Sequence, residues 1–318
     1  MRIVISIVLA LAALAVQAQP YPSKPVRVVV PFPPGQAADI FARMVAERLA
    51  AKWGQGVAVE NRAGGGGITG MMAGKQAAPD GYTLIVGTSG TLGVNPNIYA
   101  SIPYDPLKDF APASNIFIAP LVLVAHPSFA PNDVKALVNL AKAQPGSINF
   151  ASAGPGTAQH MTGELFKHRA AVDLVHVPYK GSGPGMTDLI GGQVPIMFDS
   201  LASAMPHIKS GRIKILAVTT AERVPQLPEV PTVAEAGYPG YAGVGWSGFV
   251  LPAGTPREIV EKVSTDTQAV LREPETVKRI IDRGGVPDPS TPQQYTEFIR
   301  GEIAKWGEVA RIAKVKLD

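Results

Sequence analysis

The segment from Pro31 to Asp39, here called the first elbow, combines the residue types of an anion-binding loop. It follows the apolar run Val26 to Pro31 and precedes an amphipathic helix pattern. Its prolines have a fixed φ and no N–H and therefore stiffen the loop, whereas Gly35 lets the backbone approach a ligand closely. The N–H groups of residues 35–39 open a helix whose N-terminus carries roughly half a positive charge. The segment predicts a carboxylate site without a charged side chain. The alternative is an ordinary turn, in which Asp39 is only a favourable first-turn acid.

The segment from Ser152 to Thr157, the second elbow, repeats the same order of strand, glycine- and proline-containing loop, and helix. Here the hydroxyls of Ser152 and Thr157 add side-chain donors to the backbone donors. We expect both hydroxyls to donate hydrogen bonds to a ligand, so that their removal weakens its binding. In the alternative interpretation Thr157 only caps its own helix. Two such elbows in different parts of the chain indicate a cleft between two domains.

Other motifs exclude several kinds of chemistry. His160 and Glu164 lie one helical turn apart, but zinc needs more ligands than this pair supplies, so no metal site is predicted. The run Gly65 to Gly70 matches G-x-G-x-x-G but lacks the acidic residue that a dinucleotide site needs after the next strand, so no cofactor is predicted. Neither Ser89 nor Ser247 lies in the G-x-S-x-G motif of a hydrolase nucleophile. An enzyme that uses an acid or base pair remains a weaker alternative to a binding protein.

Alternating strand and helix patterns must position these residues. Such repetition is typical of an α/β fold with mainly parallel sheets covered by helices. The turn-rich segment before residue 121 and the proline-rich segment from Pro225 to Pro231 resemble crossings between domains. We therefore expect a discontinuous first domain, residues 19–120 and 226–318, with residues 121–225 inserted as the second. The predicted strands are Val26 to Pro31, Val57 to Glu60, Leu84 to Val86, Leu121 to Ala125, Ile148 to Ala151, Leu174 to Val177, Ile196 to Phe198 and Ile213 to Val218.

The N-terminal segment is predicted to be a signal peptide. Arg2 precedes an apolar run from Ile3 to Val16, and small residues at Val16 and Ala18 fit a cleavage site after Ala18. A retained membrane anchor is the alternative, although the apolar run is short for a bilayer of about 30 Å. The chain contains no cysteine and therefore no disulfide, so an exported form must be stabilised by packing alone. The 46% hydrophobic composition allows this. The formal net charge is +4 without a cluster of Lys and Arg, so no nucleic-acid partner is predicted.

Segments along the whole mature chain resemble one known family, the Bug (Bordetella uptake gene) or TctC-like periplasmic receptors of tripartite tricarboxylate transporters. The resemblance implies a two-domain periplasmic-binding-protein fold of the Venus flytrap type II, a small mono-, di- or tricarboxylate in the interdomain cleft, and a monomer that delivers it to a membrane permease. A receptor that docks on a sensor kinase is the alternative. The segments are YPSKPVRVVVPFPPG (21–35), VENRAGGGG (59–67), PYDPLKDFAP (103–112), SAGPGTAQHMTGELF (152–166), HVPYKGSGP (176–184), GGQVPIMFD (191–199), LAVTTAER (216–223), LPEVPTVAEAG (227–237) and GFVLPAGTP (248–256).

The resemblance also implies which residues form the site. One position departs from the family, whose elbow usually reads P-G-G-x-x-D: the second glycine is Gln36 here. A side chain there has three possible effects, namely a narrower site, an added amide donor or the displacement of a bridging water. The implied carboxylate-binding residues are Phe32, Gly35, Gln36, Ala37, Ala38, Asp39, Ser152, Gly154, Gly156 and Thr157, and the implied pocket lining is Thr88, Ser89, His160, Tyr179, Gly181 and Asp199.

Overall fold

A computed structural model describes residues 21–313 and 315–317 of the chain. The predicted signal peptide, residues 1–18, lies outside these residues. Within the described ranges, every helix is too short or too polar to cross a lipid bilayer.

The strands confirm each run that the sequence predicts and add others. Strand β4 extends much further than expected, and β9 and β10 were not predicted. The strands are β1 (Val26–Val30), β2 (Val57–Asn61), β3 (Thr83–Thr88), β4 (Phe110–Ala125), β5 (Asn149–Ser152), β6 (Val175–Pro178), β7 (Ile196–Ser200), β8 (Lys214–Val218), β9 (Val244–Pro252) and β10 (Val286–Pro287).

The helices cover the sheet, and the two helices that begin at the elbows each follow a strand through a short loop. A π-helical stretch, Ser89–Val94, follows β3, and a short 3-10 turn, Gly65–Gly67, precedes the second helix. The α-helices are α1 (Ala37–Trp53), α2 (Ile68–Lys75), α3 (Asn95–Ile98), α4 (Val134–Ala143), α5 (Ala158–Ala170), α6 (Ser182–Ile190), α7 (Leu201–Lys209), α8 (Arg257–Leu271), α9 (Pro274–Asp282) and α10 (Pro292–Ala313).

The strands pair in the order β2-β1-β3-β9-β4-β7-β5-β6, and β8 and β10 also pair with β4. Pairs β1/β2, β1/β3, β5/β6 and β5/β7 are parallel, whereas every pair that involves β4 or β9 is antiparallel. The sheet is therefore mixed rather than mainly parallel as expected. The difference arises because β4 and β9 are connecting strands and not members of βαβ units.

Strand β4 divides the sheet into two blocks. Its residues 110–120 pair with β9 in the first block, which also contains β1, β2, β3 and β10, and its residues 121–125 pair with β7 and β8 in the second block, which also contains β5 and β6. The first block packs around residues such as Phe41 and Phe249, and the second around residues such as Phe150 and Phe198. The crossing predicted near residue 121 thus coincides with the change of partners along β4.

The return crossing lies later than the sequence analysis expected. Leu227 and Val230 pack with Val122 and Val124, and Tyr241 packs in the core that contains Phe198. Residues 226–241 therefore lie with the second block, and the chain returns to the first block only through β9. The boundary expected at 226 therefore lies within a proline-rich segment that packs against the second block rather than forming a free linker.

Candidate functional site

The two elbows meet at a small cavity between the blocks. The sheet register places three residues side by side on its floor, since Thr88 pairs with Ser247 and Phe117 also pairs with Ser247. In the second block, Leu121 pairs with Ser200 beside them. The helices α1 and α5, which follow the two elbows, begin at this edge.

This inner cavity has a volume of about 50 Å³. None of the described residues that line it carries a charged side chain, while backbone N–H groups and neutral polar side chains face it. A volume of this size holds one carboxyl group or a few waters, since a cavity of about 150 Å³ is needed for benzene. The lining residues are Phe32, Gln36, Ala37, Ala38, Thr88, Ser89, Gly90, Phe117, Ala119, Leu121, Thr157, Ala158, Gln159, Ser200, Gly245, Trp246 and Ser247.

The carboxylate of Asp39 stabilises the loop of the first elbow. Asp39 Oδ2 accepts a hydrogen bond of 3.0 Å from the N–H of Gly35, whose φ of +89° favours glycine. Asp39 Oδ1 accepts bonds of 2.9 Å from Arg43 Nε and from Asn61 Nδ2, and Asn61 Nδ2 also donates to Phe32 O at 2.9 Å. The N–H of Gly35 and the carboxylate of Asp39 therefore bond to each other in this structure, whereas the sequence analysis expects both residues to face the ligand.

The N-terminus of α1 itself faces the cavity. Gln36 occupies the N-cap position in an extended conformation, and its side chain makes no capping hydrogen bond. Ala37 and Ala38, the first helical residues, line the inner cavity. An uncapped first turn has N–H groups without an intrahelical partner, and these groups are suited to an anion.

The second elbow is closed by its own side chains. The Thr157 hydroxyl donates to Gly154 O at 2.7 Å and accepts the N–H of His160 at 3.3 Å. Ser152 Oγ accepts the N–H of Gly154 at 3.1 Å and lies 2.6 Å from His176 Nε2. Each hydroxyl is thus engaged within the elbow in this structure, whereas the sequence analysis expects both to donate to a ligand. Thr157 still lines the cavity, whereas Ser152 is fully buried behind it.

Two histidines that do not line the inner cavity stabilise the second elbow. His160 Nδ1 accepts the N–H of Gly156 at 3.2 Å, and its ring stacks on His176 with centroids 4.0 Å apart. Burial lowers the pKa of His160 to about 3, with a smaller contribution from His176. Burial likewise lowers the pKa of His176 to about 4, so both rings are neutral at neutral pH. His160 and Gly156 therefore support the elbow and do not line the inner cavity as the sequence analysis expected.

Thr88 and Ser89 line the cavity at the end of β3. Thr88 forms a reciprocal capping box with Thr91: its N–H donates to Thr91 Oγ1 at 3.0 Å, and the Thr91 N–H donates to Thr88 Oγ1 at 3.2 Å. The box fixes the turn into the π-helical stretch and presents Ser89 to the cavity.

Asp199 lies one residue away from the cavity and not in it. Its neighbour Ser200 lines the cavity, while Asp199 Oδ1 accepts from Ser182 Oγ at 2.6 Å and from the Ser200 N–H at 2.8 Å. Burial raises the pKa of Asp199 to about 6 despite hydrogen bonds from Ser182, Ser200 and Gln159. Successive residues of a strand point to opposite faces, so the Asp199 side chain points away from the cavity that Ser200 lines. Through its hydrogen bond to the Ser200 N–H it positions this lining residue.

An outer chamber of about 570 Å³ adjoins the inner cavity, and Phe32 and Thr157 line both. Tyr179 and Gly181 lie here, as does Gly154, and the Tyr179 hydroxyl donates to Asp188 Oδ2 at 2.8 Å. Burial raises the pKa of Tyr179 to about 12. The chamber is lined by Phe32, Pro33, Ala63, Gly64, Gly65, Gly66, Gly67, Tyr99, Ala153, Gly154, Pro155, Thr157, Tyr179, Lys180 and Gly181.

Glycines stand where the two blocks touch across this cleft. A Cβ on Gly90 would lie 3.0 Å from Gly156 O, and a Cβ on Gly181 would lie 2.9 Å from Gln36 Nε2. A Cβ on Gly66 would lie 3.3 Å from Pro155 O. Each contact joins a residue of the first block to one of the second, so the absence of side chains permits this close approach.

Sequence reasoning missed several residues of the site. Gln159, Ser200, Trp246 and Ser247 line the inner cavity, and the glycine run 64–67 lines the outer chamber. In the sequence this run fails as a dinucleotide motif and belongs to the segment VENRAGGGG of the family resemblance. A positive φ at all four of its glycines is the structural property behind the pattern. Ser247 had no sequence signal, because it reaches the cavity only through the antiparallel pairing of β9.

The residues that the structure describes contain no group of three His, Cys, Asp or Glu side chains that could hold a metal ion. His160 Nε2 and Glu164 Oε1 are 3.9 Å apart, and the Lys167 ammonium lies 3.0 Å from the other oxygen of Glu164. These contacts form a small polar network on α5.

Comparisons with known proteins agree with this architecture. The chain is 38% identical to the protein BugT of Bordetella pertussis over 317 residues, which is 99% of this chain and 97% of BugT. Rpa4515 of R. palustris, solved with adipate, superimposes with a TM-score of 0.91 at 36% identity, covering 93% of this chain and 99% of that one. MatC (Rpa3494) of Rhodopseudomonas palustris, solved with bound malate, has a TM-score of 0.86 at 33% identity and covers 91% and 99% of the two chains.

The periplasmic binding protein BugD superimposes with a TM-score of 0.87 at 34% identity, covers 93% and 99% of the two chains, and establishes the α/β periplasmic-binding-protein fold for this chain. The family model described as "Tripartite tricarboxylate transporter family receptor" matches residues 41–316, a range that contains the N-terminus of α5 but not that of α1. The chain therefore belongs to the family of tripartite tricarboxylate transporter receptors, as the sequence resemblance predicted.

Proposed function

We propose that this protein is a periplasmic receptor that binds a small organic acid anion between its two blocks and delivers it to the permease of a tripartite tricarboxylate transporter. The observation that carries this proposal is the uncapped N-terminus of α1 at a cavity between the blocks whose described lining is uncharged. Fixed backbone N–H groups stabilise a carboxylate at such a position. Export through cleavage after Ala18 and action as a monomer belong to the same proposal.

The two volumes indicate how a ligand would lie. Ligand pockets usually measure about 300–1,000 Å³, and the outer chamber of about 570 Å³ falls in that range while the inner cavity of about 50 Å³ does not. A carboxylate therefore fits the inner cavity, and the body of the ligand extends past Phe32 and Thr157 into the outer chamber. Adipate and malate, found in the two structural neighbours, are acids of this general kind.

Binding of a carboxylate by backbone N–H groups in the inner cavity predicts that the affinity depends only weakly on the salt concentration. Charged side chains at a surface are screened by ions, whereas backbone dipoles in an enclosed cavity are screened much less. Hydrogen bonds to a charged acceptor contribute about 1.5–3 kcal/mol each, so a few of them are enough for the roughly 8 kcal/mol of micromolar binding when the site is preorganised.

A thermal-shift screen tests the binding function directly. We expect at least one of acetate, succinate, malate and adipate to raise the melting temperature, since a ligand at about one hundred times its dissociation constant stabilises the fold by about 2.7 kcal/mol. The corresponding diols and amides serve as uncharged controls. Stabilisation by the uncharged compounds alone would contradict a carboxylate receptor.

Delivery needs a separate experiment. The ligand-loaded receptor should stimulate uptake of that acid by proteoliposomes that contain the permease encoded with it. If the loaded receptor instead binds and activates a sensor kinase and never stimulates uptake, the signalling alternative replaces transport. Turnover of the bound acid would contradict both and indicate an enzyme.

A further inference from the structure

One polar group of the inner cavity has no partner. Gln36 is 7% exposed, and its Nε2 is buried without a hydrogen-bond acceptor. Buried amide groups nearly always have a partner, and a missing one destabilises the structure. Because Gln36 lines the inner cavity, a ligand oxygen there is an available acceptor.

The position of Gln36 on the helix strengthens this argument. N-cap residues are usually Ser, Thr, Asp or Asn, whose side chains accept the N–H groups of the first turn. Gln36 holds the N-cap position of α1 but makes no such bond. Its side chain thus leaves the N–H groups free for an anion and adds an amide donor beside them.

Gln36 also contributes shape. Its Nε2 lies 2.9 Å from the point where a Cβ on Gly181 would stand, and Gly181 has a φ of +111°. Gly181 lines the outer chamber and belongs to the second block, whereas Gln36 lines the inner cavity and belongs to the first. The glutamine side chain therefore forms part of the wall between the two spaces when the blocks are in contact.

We propose that Gln36 is the specificity-determining residue of this receptor: its amide donates to an oxygen of the ligand end that enters the inner cavity, and its bulk restricts that end to an unbranched carboxylate. The substrate class is thus an organic acid whose carbon next to the inner carboxylate bears no branch. This inference rests on the proposed function, because it assumes that a carboxylate occupies the cavity.

Calorimetric titration of adipate tests the donor. Gln36→Met keeps the length of the side chain and removes the amide, so we expect the affinity for adipate to fall about tenfold or more while the melting temperature of the free protein is maintained. Gln144→Met, a change at an exposed glutamine after α4, is the matched control and should bind adipate as the unchanged protein does.

Titration of butyrate and isobutyrate tests the shape. Gln36→Gly removes the wall, so the ratio of the two dissociation constants should move toward isobutyrate, the isomer branched beside its carboxylate, whereas Gln36→Met should keep the original ratio. If adipate binds Gln36→Met as tightly as the unchanged protein, or if Gln36→Gly leaves the ratio unaltered, the role of Gln36 is overturned and the carboxylate receptor stands. If the unchanged protein binds neither adipate nor butyrate but binds another acid of the thermal-shift screen, the role of Gln36 is overturned and the carboxylate receptor stands; if it binds no acid of either set, both proposals are overturned.

Discussion

The two elbows share an order of residues but differ in how their polar groups are satisfied. In the second elbow Thr157 caps α5, Ser152 Oγ and His160 Nδ1 accept the N–H groups of Gly154 and Gly156, and His176 bonds to Ser152. In the first elbow the N-cap residue Gln36 caps nothing, and Asp39 secures the loop from behind.

This difference assigns separate tasks to the elbows. A helix N-terminus that is capped by a hydroxyl has fewer N–H groups free to bind an anion. At an uncapped N-terminus that lines a cavity, the N–H groups still need an acceptor. The first elbow is therefore the part of the site suited to the anion. The second elbow is suited to be a rigid wall that completes the cavity when the blocks meet.

Acid should disturb the second elbow most strongly. His160 and His176 have pKa values lowered by burial to about 3 and about 4, compared with about 6.5 in an unfolded chain. Below pH 6.5 the unfolded state binds more protons than the folded state, so the free energy of unfolding falls as pH decreases toward 4. Each histidine contributes a slope of up to about 1.4 kcal/mol per pH unit.

A double variant isolates the contribution of the two histidines to the pH dependence of the free energy of unfolding, which urea denaturation at several pH values measures. In His160→Asn with His176→Gln, amide groups replace the Nδ1 and Nε2 atoms that make the hydrogen bonds, and the loss of stability in acid should become shallower. His126→Asn, which alters a half-buried histidine bonded to Ser128, should keep the original slope. An equal slope for the double variant and the unchanged protein would mean that the stacked pair does not couple stability to pH.

Capping the first elbow should abolish its function while stabilising the free protein. Gln36→Asp places a carboxylate at an N-cap position where Asp is preferred, which raises the free energy of unfolding by about 0.5–2 kcal/mol. The same carboxylate occupies the N–H groups and repels an incoming anion by about 4 kcal/mol at 4 Å in an effective dielectric of 20. The affinity for adipate should therefore fall at least about a hundredfold.

Calorimetry and thermal denaturation measure these two opposite effects on the same variant. Gln144→Asp, at an exposed position outside the cleft, should leave adipate binding unchanged and should lower stability slightly, because the new charge lies at the C-terminus of α4. Retention of adipate affinity by Gln36→Asp would place the carboxylate somewhere other than the N-terminus of α1.

The fold could largely be predicted from the sequence, because its regular strands are continuous apolar runs between helical patterns. The exceptions have physical causes. Strand β4 contains Pro112 and Pro120, which argue against a strand, and the structure accommodates Pro112 at a shift of register with β9. Strand β9 is buried on both faces over most of its length and shows no alternation. Residues 226–241 have the composition of a linker, and only tertiary packing shows otherwise.

The candidate site was predicted in outline and not in detail. The positions of both elbows and of Thr88, Ser89, Tyr179 and Gly181 follow from strand ends and from the family resemblance. Whether a hydroxyl or N–H remains free depends on partners from other elements, such as His176 on β6 for Ser152. Such pairings are tertiary, so the sequence pattern cannot distinguish the self-satisfied elbow from the open one.

Contact between the elbows can be weakened by a single methyl group. Gly90→Ala adds a Cβ only 3.0 Å from Gly156 O across the cleft, at a position without a positive φ. Overpacking costs about 1–3 kcal/mol, and here the cost falls on the arrangement in which the blocks touch. The affinity for adipate should decrease about tenfold, and small-angle scattering should show less compaction on binding.

The matched control is Gly183→Ala, because a Cβ at this glycine of α6 meets nothing within 4 Å. This variant should bind adipate normally, with a small gain in helix stability. Unchanged binding by Gly90→Ala would indicate that the two elbows do not need this close contact to form the site.

Thr157→Val should have the smallest effect on binding, because the second elbow uses this hydroxyl for itself. The substitution keeps the shape of the side chain but removes the bond to Gly154 O and the cap on the His160 N–H. Loss of a cap reduces the free energy of unfolding by about 1 kcal/mol, and Gly154 O keeps the N–H of residue 157 as a partner at 3.3 Å. The affinity for adipate should change by well under the roughly tenfold that follows loss of a hydrogen bond to a charged acceptor. Thr157→Ser, which retains the hydroxyl, should keep most of the stability. A tenfold or larger loss of affinity in Thr157→Val, without a loss of stability, would show that the hydroxyl turns from Gly154 to the ligand and that both elbows donate to the carboxylate.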